Sequence, residues 1–273
     1  MKISRGDKTL DFNLIRKPVI FPAVEVLGAI SSDKSIHYLK FQHFKNDNVC
    51  FIIEKAVIEA EKQHAKGFVI DLRGNGGGLM DVGACIASLF LPKDKLLITL
   101  KAIAGNKAEQ KLAPNGISSK IKLVILVDAG SASASEVFAG EMQDYGRAWI
   151  IGERTFGKAS VQRMDSEPPV SGTNFAKTAW RIFLPPGRTY QGVGILPDFE
   201  AYPSLNPTEE DKFSLREADL YPNALAPMDK DWINPRLREI TKIKLCTAKS
   251  TVHNEDYPLK MAIDVLNCET NNF

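Results

Sequence analysis

Apolar runs that end in glycine-rich or polar loops constrain this chain more than any other feature. The clearest run covers residues 121–128 (IKLVILVD), and shorter ones cover residues 67–72 and 149–152. Continuous apolar runs of this length are typical of strands buried on both faces of a parallel sheet. Helix-like stretches separate them, so the sequence predicts an α/β fold with a parallel-rich central sheet flanked by helices. Additional strands are expected at residues 10–22, 36–44, 95–103 and 174–184, and a partly helical tail after residue 203.

Bulk properties exclude several classes of function. The formal net charge of the 273 residues is +2, which gives no indication of a nucleic-acid partner. No apolar run approaches the roughly 18 residues needed to cross a bilayer, and the first seven residues carry no apolar stretch typical of a secretory signal. The four histidines form no metal motif, so neither a metal nor another cofactor is expected.

The four cysteines fall into two groups. Cys50 and Cys85 lie in apolar helical patterns and are predicted to be buried free thiols. Cys246 and Cys268 both lie in the tail, where a disulfide would form in an oxidising compartment. The sequence leaves open whether these two are paired.

The first loop of chemical interest is residues 71–78 (DLRGNGGG), which follows a predicted strand. Glycines allow main-chain amides to approach a ligand closely, and such amides can stabilise an oxyanion. A tight strand-to-helix turn would need the same glycines. This loop alone therefore does not decide between a binding role and a structural one.

The second loop, residues 130–136 (GSASASE), joins the clearest strand to a predicted helix. A nucleophile at a helix start lies beside unpaired amides and the positive end of the helix dipole. The spacing of Ser133 and Glu136 also fits a capping box, which is a purely structural motif. Spacing alone does not choose a nucleophile among Ser131, Ser133 and Ser135.

The third loop, residues 152–162 (GERTFGKASVQ), nearly matches the phosphate-binding pattern GxxxxGK[ST]. The last position of that pattern supplies a hydroxyl to Mg²⁺ and is followed by a helix. Here the position is Ala159, and the residues after it read as a strand and a turn. Nucleotide binding is therefore not favoured.

Taken together and in this order, the three loops resemble those of the C-terminal processing peptidases, also called tail-specific proteases. Residues 184–188 (LPPGR) and 192–198 (GVGILPD) are similar to later motifs of the same family, and the resemblance spans about residues 19–200. It implies the crotonase/Clp-protease-like core of that family. Several separated motifs in the correct order are much more specific than any one of them.

The resemblance implies a role for five residues of this chain. Ser133 would be the nucleophile, Lys158 the general base and Gln162 a residue that orients the lysine. The main-chain amides of Gly78 and Ala134 would bind the oxyanion. Ser-Lys pairs are a known variant of the catalytic triad.

A lysine base needs an uncharged amine, which burial away from carboxylates favours. An adjacent carboxylate would oppose it, whereas a neutral amide such as that of Gln162 would not. One departure from the family is Ala159, because the residue after the lysine is usually glycine. If the loop required a positive φ there, Ala159 would be strained.

The resemblance also implies how the chain is organised and what it acts on. Residues 1–17 would be the end of a truncated PDZ-type domain and a linker, residues 18–202 the protease core, and residues 203–273 a C-terminal extension. Substrates would be proteins or peptides with exposed C-terminal tails, located in a bacterial periplasm or cell envelope, and an oligomer is possible. The alternative is a non-catalytic ligand-binding module on the same fold.

Overall fold

The structure, a computed structural model, describes residues 1–15, 22–31, 33–45, 48–165, 175–204, 207–209, 215–221 and 256–270. Part of the strand predicted over residues 10–22 lies outside these ranges, as do much of the predicted helical region 236–273 and Cys246.

Most of the described elements are strands, and the longer helices lie between the strands of the central region and near the C-terminus. The strands are β1 (Lys2–Arg5), β2 (Lys8–Asp11), β3 (Val24–Ala29), β4 (Ile36–Phe41), β5 (Gly67–Asp71), β6 (Leu96–Ala102), β7 (Ala108–Leu112), β8 (Lys122–Val127), β9 (Ala148–Gly152), β10 (Ser160–Asp165), β11 (Phe175–Phe183) and β12 (Phe199–Glu200). The helices are α1 (Asn48–Lys62), α2 (Met80–Ser88), α3 (Ala134–Asp144), α4 (Glu217–Leu220) and α5 (Tyr257–Thr270).

A six-stranded sheet forms the centre of the fold, in the order β12-β9-β8-β5-β4-β3. Strands β12 to β4 run parallel, and β3 adds to β4 in the antiparallel sense at one edge. Every residue of β5 and β9 is buried, as expected for strands covered on both faces. The predicted α/β fold with a parallel-rich central sheet is confirmed.

A second sheet is antiparallel, with the order β10-β11-β6-β7. The apolar side chains of β6 and β11 pack against α3, where Ile98 and Ile182 share a cluster with Val137. Strand β7 was not predicted, because it is short and mostly exposed and so lacks an apolar pattern. Strands β1 and β2 form a separate exposed hairpin.

The two faces of the central sheet are covered by different helices. Helices α1, α2 and α3 pack on one face around Ile70, Leu123 and Ile125. Helix α5 packs on the other face, and a Cβ added to Gly67 would lie 2.7 Å from the Leu266 side chain. The loops that follow β5, β8 and β9 therefore meet at one edge of the sheet, at the carboxyl ends of parallel strands, where ligand sites form in such folds.

The prediction that Cys50 and Cys85 are free thiols is wrong, because they form a disulfide with a Cα–Cα distance of 6.0 Å. Helices α1 and α2 pack on the same face of the sheet, which brings together two residues 35 positions apart in sequence. Cys268 also takes part in a disulfide, and Cys246, whose pairing with it the sequence left open, lies outside the described ranges.

Within the described ranges, no helix is both long enough and apolar enough to cross a membrane. The same part of the chain contains no group of three or more His, Cys, Asp or Glu side chains placed to bind a metal ion.

Candidate active site

The turn between β8 and α3 places the three candidate serines in different environments. Ser131 is buried, and its hydroxyl donates to the carbonyl oxygen of Leu72 at 2.8 Å. Ser135 is buried too, and its hydroxyl donates to the carbonyl oxygen of Asn75 at 2.8 Å. The half-buried Ser133 has no hydrogen-bond partner for its hydroxyl among the described residues. The structure thus separates serines that their spacing left equivalent.

Ser133 adopts an uncommon main-chain conformation, with φ of 58° and ψ of −116°. A non-glycine residue in such a sparsely populated region costs on the order of 1–3 kcal/mol and persists where its surroundings impose it. Here the Ser133 N–H donates to the carboxylate of Glu136 at 2.8 Å, while the hydroxyl makes no capping bond. The capping box is therefore half formed, and it leaves the Ser133 hydroxyl available for chemistry.

The glycine loop lies directly against the serine turn. A Cβ on Gly77, which has φ of 90°, would lie 2.6 Å from the Ala132 carbonyl oxygen and 2.9 Å from Cβ of Ser133. Gly78 is equally confined, because a Cβ there would lie 2.6 Å from the main chain of Phe44. Glycine is therefore required at position 77 for the glycine loop to meet the serine turn, and at position 78 for it to lie against Phe44.

Two main-chain amides at this junction are available to a ligand. The N–H of Gly77 donates to the side chain of Asn75 at 2.9 Å. The N–H groups of Gly78 and Ala134 have no acceptor among the described residues. These are the two amides that the sequence predicts as oxyanion donors, and they flank the loop contact that contains Ser133.

Glu136 joins the serine turn to the loop that carries Lys158. Its buried carboxylate accepts hydrogen bonds from the N–H of Ser133 and Lys158, both at 2.8 Å. It also accepts from the Thr155 hydroxyl and the Gly157 N–H, both at 2.6 Å. Burial raises the pKa of Glu136 to about 7, and these hydrogen bonds oppose the rise. The sequence indicated the helix cap but missed this link between the loops.

The Lys158 amine contacts Ser160 and Glu217. Its Nζ donates to the Ser160 hydroxyl at 3.1 Å and lies 3.5 Å from a carboxylate oxygen of Glu217. Glu217 is buried, and its own N–H donates to the carbonyl oxygen of Phe156 at 3.0 Å. No hydrogen bond joins Lys158 Nζ to Ser133 in the part of the chain that the structure describes.

Gln191 completes the surroundings of the lysine. Its side chain accepts from the Ala159 N–H at 3.0 Å and donates to the Glu217 carboxylate. Sequence reasoning missed Gln191 and Glu217, which are 33 and 59 residues from Lys158 and carry no motif. A contact of this kind follows from tertiary packing alone.

Gln162, the predicted orienting residue, is exposed on β10 and makes no hydrogen bond to the Lys158 amine. Ala159 is buried without a positive φ, which Gly157 adopts instead at 96°. The loop is followed by strand β10 and not by the helix of a phosphate-binding loop. The structure thus gives no support to nucleotide binding at this loop.

The sequence profile of peptidase family S41 matches residues 35–201, which include all three loops. A carboxyl-terminal-processing protease of Synechocystis is 32% identical over 190 residues, covering 69% of this chain and 43% of that protein. A chloroplastic C-terminal processing peptidase of Tetradesmus obliquus is 34% identical over 187 residues, covering 68% of this chain and 39% of that protein. The chain therefore spans about two fifths of the length of these curated relatives.

Among solved structures, the photosystem II D1 C-terminal processing protease is similar to this chain with a TM-score of 0.61. The two are 31% identical, and the match covers 75% of this chain and 54% of that one. This share of the chain is close to the 68% and 69% that the two curated relatives match.

Proposed function

Because this chain belongs to peptidase family S41, we propose that it hydrolyses peptide bonds with Ser133 as the nucleophile and Lys158 as the general base. One observation carries the proposal. Among the described residues, the Ser133 hydroxyl has no hydrogen-bond partner at a strained helix start, and the two main-chain amides beside it have no acceptors. Acyl transfer requires such a combination of a nucleophile and preorganised donors.

The proposed reaction has two halves. Ser133 Oγ attacks the carbonyl carbon of the scissile bond while its proton passes to the Lys158 amine. The N–H groups of Gly78 and Ala134 donate to the resulting oxyanion, where losing one such donor costs about 3–4 kcal/mol. Lys158 then gives its proton to the leaving amine, the peptide bond breaks, and water hydrolyses the acyl-enzyme with the lysine again accepting a proton.

Catalysis by Lys158 requires its amine to exchange partners. While the amine pairs with the Glu217 carboxylate, it does not hydrogen-bond to Ser133 and cannot take its proton. The amine must leave Glu217 and Ser160 and hydrogen-bond to Ser133 before the first step. We assign the structure to a resting arrangement of the enzyme, in which Glu217 of α4 pairs with the proposed base. Gln162 is proposed to orient the lysine in the reacting arrangement.

The proposed substrates are proteins with exposed C-terminal tails. The names of the two curated relatives and of the solved structure, which all describe C-terminal processing, support this class. Since the chain spans part of those relatives, tail recognition is assigned to the whole protein, with residues 1–17 as the end of a PDZ-type domain. The proposed location is the periplasm or envelope of a bacterium.

The test is digestion of a protein that ends in an apolar tail, with wild type, Ser133→Ala, Lys158→Ala and Lys158→Arg compared. We expect wild type to cleave and all three variants to lose at least about 10³-fold in kcat/KM while keeping the fold. Lys158→Arg is the sharpest variant, because a guanidinium keeps its proton at any accessible pH.

Two results would contradict the proposal. Turnover by Lys158→Arg would rule out a lysine base. Tight ligand binding by a wild-type chain that neither cleaves peptides nor reacts with a fluorophosphonate at Ser133 would favour the non-catalytic binding module.

A further inference from the structure

A small pocket opens beside the proposed oxyanion donors, between α2, α3 and the β6–β7 hairpin. Ala134, which follows the nucleophile, lines it on one side, and Met80, two residues after Gly78, lines it on another. The pocket is therefore next to the position that the scissile carbonyl group would occupy. A substrate side chain on the acyl side of the scissile bond, the P1 residue, would point towards it.

The residues of α3 and β6 that line this pocket are mostly apolar. Ala134, Val137 and Glu141 recur at intervals of three and four residues, so they share one face of α3. Leu97 and Ile98 of β6 line the opposite wall. The walls are thus almost entirely apolar, and Glu141 is the exception on the helix face.

Glu141 has no evident structural duty. The residue is 1% exposed, and its carboxyl group makes no hydrogen bond to any described residue. Burial raises the pKa of Glu141 well above its usual value, and the nearby Asp144 adds to the rise. A carboxyl group in this position can accept a hydrogen bond from a ligand and, in its protonated form, donate one. A buried polar group without a partner is destabilising, so this one is suited to a ligand that supplies the partner.

The charged pair at the rim does not satisfy Glu141. Lys111 lines the pocket but pairs with the exposed Asp81, at 3.6 Å between Nζ and a carboxylate oxygen. Both side chains are largely exposed, at 45% and 92%. An occupant of the pocket thus meets apolar walls, the buried Glu141 carboxyl group and, at the exposed rim, the Asp81–Lys111 pair.

We propose that this pocket receives the P1 side chain and that Glu141 makes it prefer threonine or serine, whose hydroxyl bonds to the Glu141 carboxyl group. The proposal rests on Ser133 being the nucleophile. A small hydroxyl side chain fits because it donates and accepts, as the carboxyl group does. A valine or alanine of matching shape leaves Glu141 without a partner, and a cationic side chain requires the carboxyl group to ionise among apolar walls.

The experiment uses peptides that are identical except at P1, in the matched pairs threonine against valine and serine against alanine. Wild type should favour the hydroxyl member by about tenfold in kcat/KM, the effect of one well-placed hydrogen bond to substrate. Glu141→Leu should abolish or reverse the preference, whereas Glu141→Gln, which keeps a hydrogen-bonding tip, should retain most of it. Equal cleavage of threonine and valine peptides by wild type would overturn the proposal without any variant.

A second measurement separates this inference from the proposed function. The same peptides are titrated into the Ser133→Ala chain, which needs no catalysis to report on the pocket. Tighter binding of the threonine peptide, lost on adding Glu141→Leu, supports the role of Glu141 even if wild type cleaves nothing. Equal affinities for threonine and valine peptides, with or without Glu141, mean that the pocket holds water only and overturn the inference.

Discussion

The serine side of the site and the lysine side are held in different ways. The serine side, residues 71–78 and 128–136, is braced by contacts among neighbouring strand ends, such as Ser131 to Leu72 and Ser135 to Asn75. On the lysine side, residues 152–160, the main chain is held by Glu136, whereas the Lys158 amine contacts Glu217, which lies outside the α/β core. The difference indicates that the main chain around the proposed nucleophile and oxyanion donors is preorganised, whereas the amine of the proposed base can be moved by changing a segment outside the core.

The largest expected effect comes from breaking the serine side at Gly77. Gly77→Ala places a Cβ 2.6 Å from the Ala132 carbonyl oxygen at a φ of 90°, so the glycine loop and the serine turn must separate. We expect kcat/KM to fall by about 10²-fold or more, because a shift of about 1 Å at the reacting groups is enough. Gly76→Ala is the control, since a Cβ there meets nothing within 4 Å. Equal losses in both variants would mean that the loop contact is unimportant.

Glu136 tests the connection between the two sides. Glu136→Gln replaces an oxygen that accepts two hydrogen bonds with an NH₂ group that accepts none, so one pair of donors loses its partner. We expect kcat to fall by about 10- to 100-fold, because the lost hydrogen bonds let the serine turn and the lysine loop shift relative to each other. A variant with unchanged kcat and a normal fold would show that the link is dispensable.

The Glu136 carboxyl group is also expected to make the stability of the folded wild-type chain depend on pH. Burial raises the pKa of Glu136 from 4.5 to about 7 in the folded chain, so the folded state binds the proton more tightly than the unfolded state. The contribution of Glu136 to stability is therefore present at low pH and is lost as the pH rises from about 5 to about 8, by up to about 3 kcal/mol. Urea unfolding of wild type and Glu136→Gln at about pH 5 and about pH 8 measures this change in the free energy of unfolding. Wild type that gains stability relative to the variant over this range would contradict the assignment.

A smaller change in the opposite direction is expected on the lysine side. Glu217→Gln removes the carboxylate that pairs with Lys158 but keeps the shape of the side chain. We expect kcat at neutral pH to rise about threefold, because the amine then no longer has to leave an ion pair before it reaches Ser133. Asp219→Asn on the same helix is the control, since Asp219 bonds to Arg216 and not to the lysine. A fall in kcat would instead make Glu217 part of the reacting arrangement.

The smallest expected effect on activity comes from the disulfide between α1 and α2. Replacing both Cys50 and Cys85 with serine should lower the free energy of unfolding by about 3–4 kcal/mol for a loop of this length. Kcat at 25 °C should stay within about twofold, because the serine turn is braced by β5 and the glycine loop and not by α1. A large loss of kcat in a folded variant would mean that α1 and α2 also help to position the serine turn.

Sequence reasoning identified the fold and family because both depend on local patterns. The apolar runs of β5, β8 and β9 are recognisable one by one, and the three loops follow them directly. The resemblance selected Ser133, whereas the residues alone did not. The physical reason for that choice, the bonded hydroxyls of Ser131 and Ser135, appears once β5 and β8 lie side by side.

What sequence reasoning missed depends on contacts between distant segments. The Cys50–Cys85 disulfide requires the packing of α1 on α2, and the Glu217 contact requires a turn of helix from the C-terminal extension to reach the lysine loop. Neither has a periodic signal. The roles proposed for Gln162, Gly78 and Ala134 stay predictions.

The main-chain conformation of Ser133 has a consequence for how this protein can change over evolutionary time. At φ of 58°, glycine would sit without steric penalty, so Ser133→Gly should give a chain that is more stable by about 1 kcal/mol and chemically inert. Selection for thermal robustness alone would thus favour the loss of this serine. Under the proposed function, turnover outweighs this preference of the polypeptide.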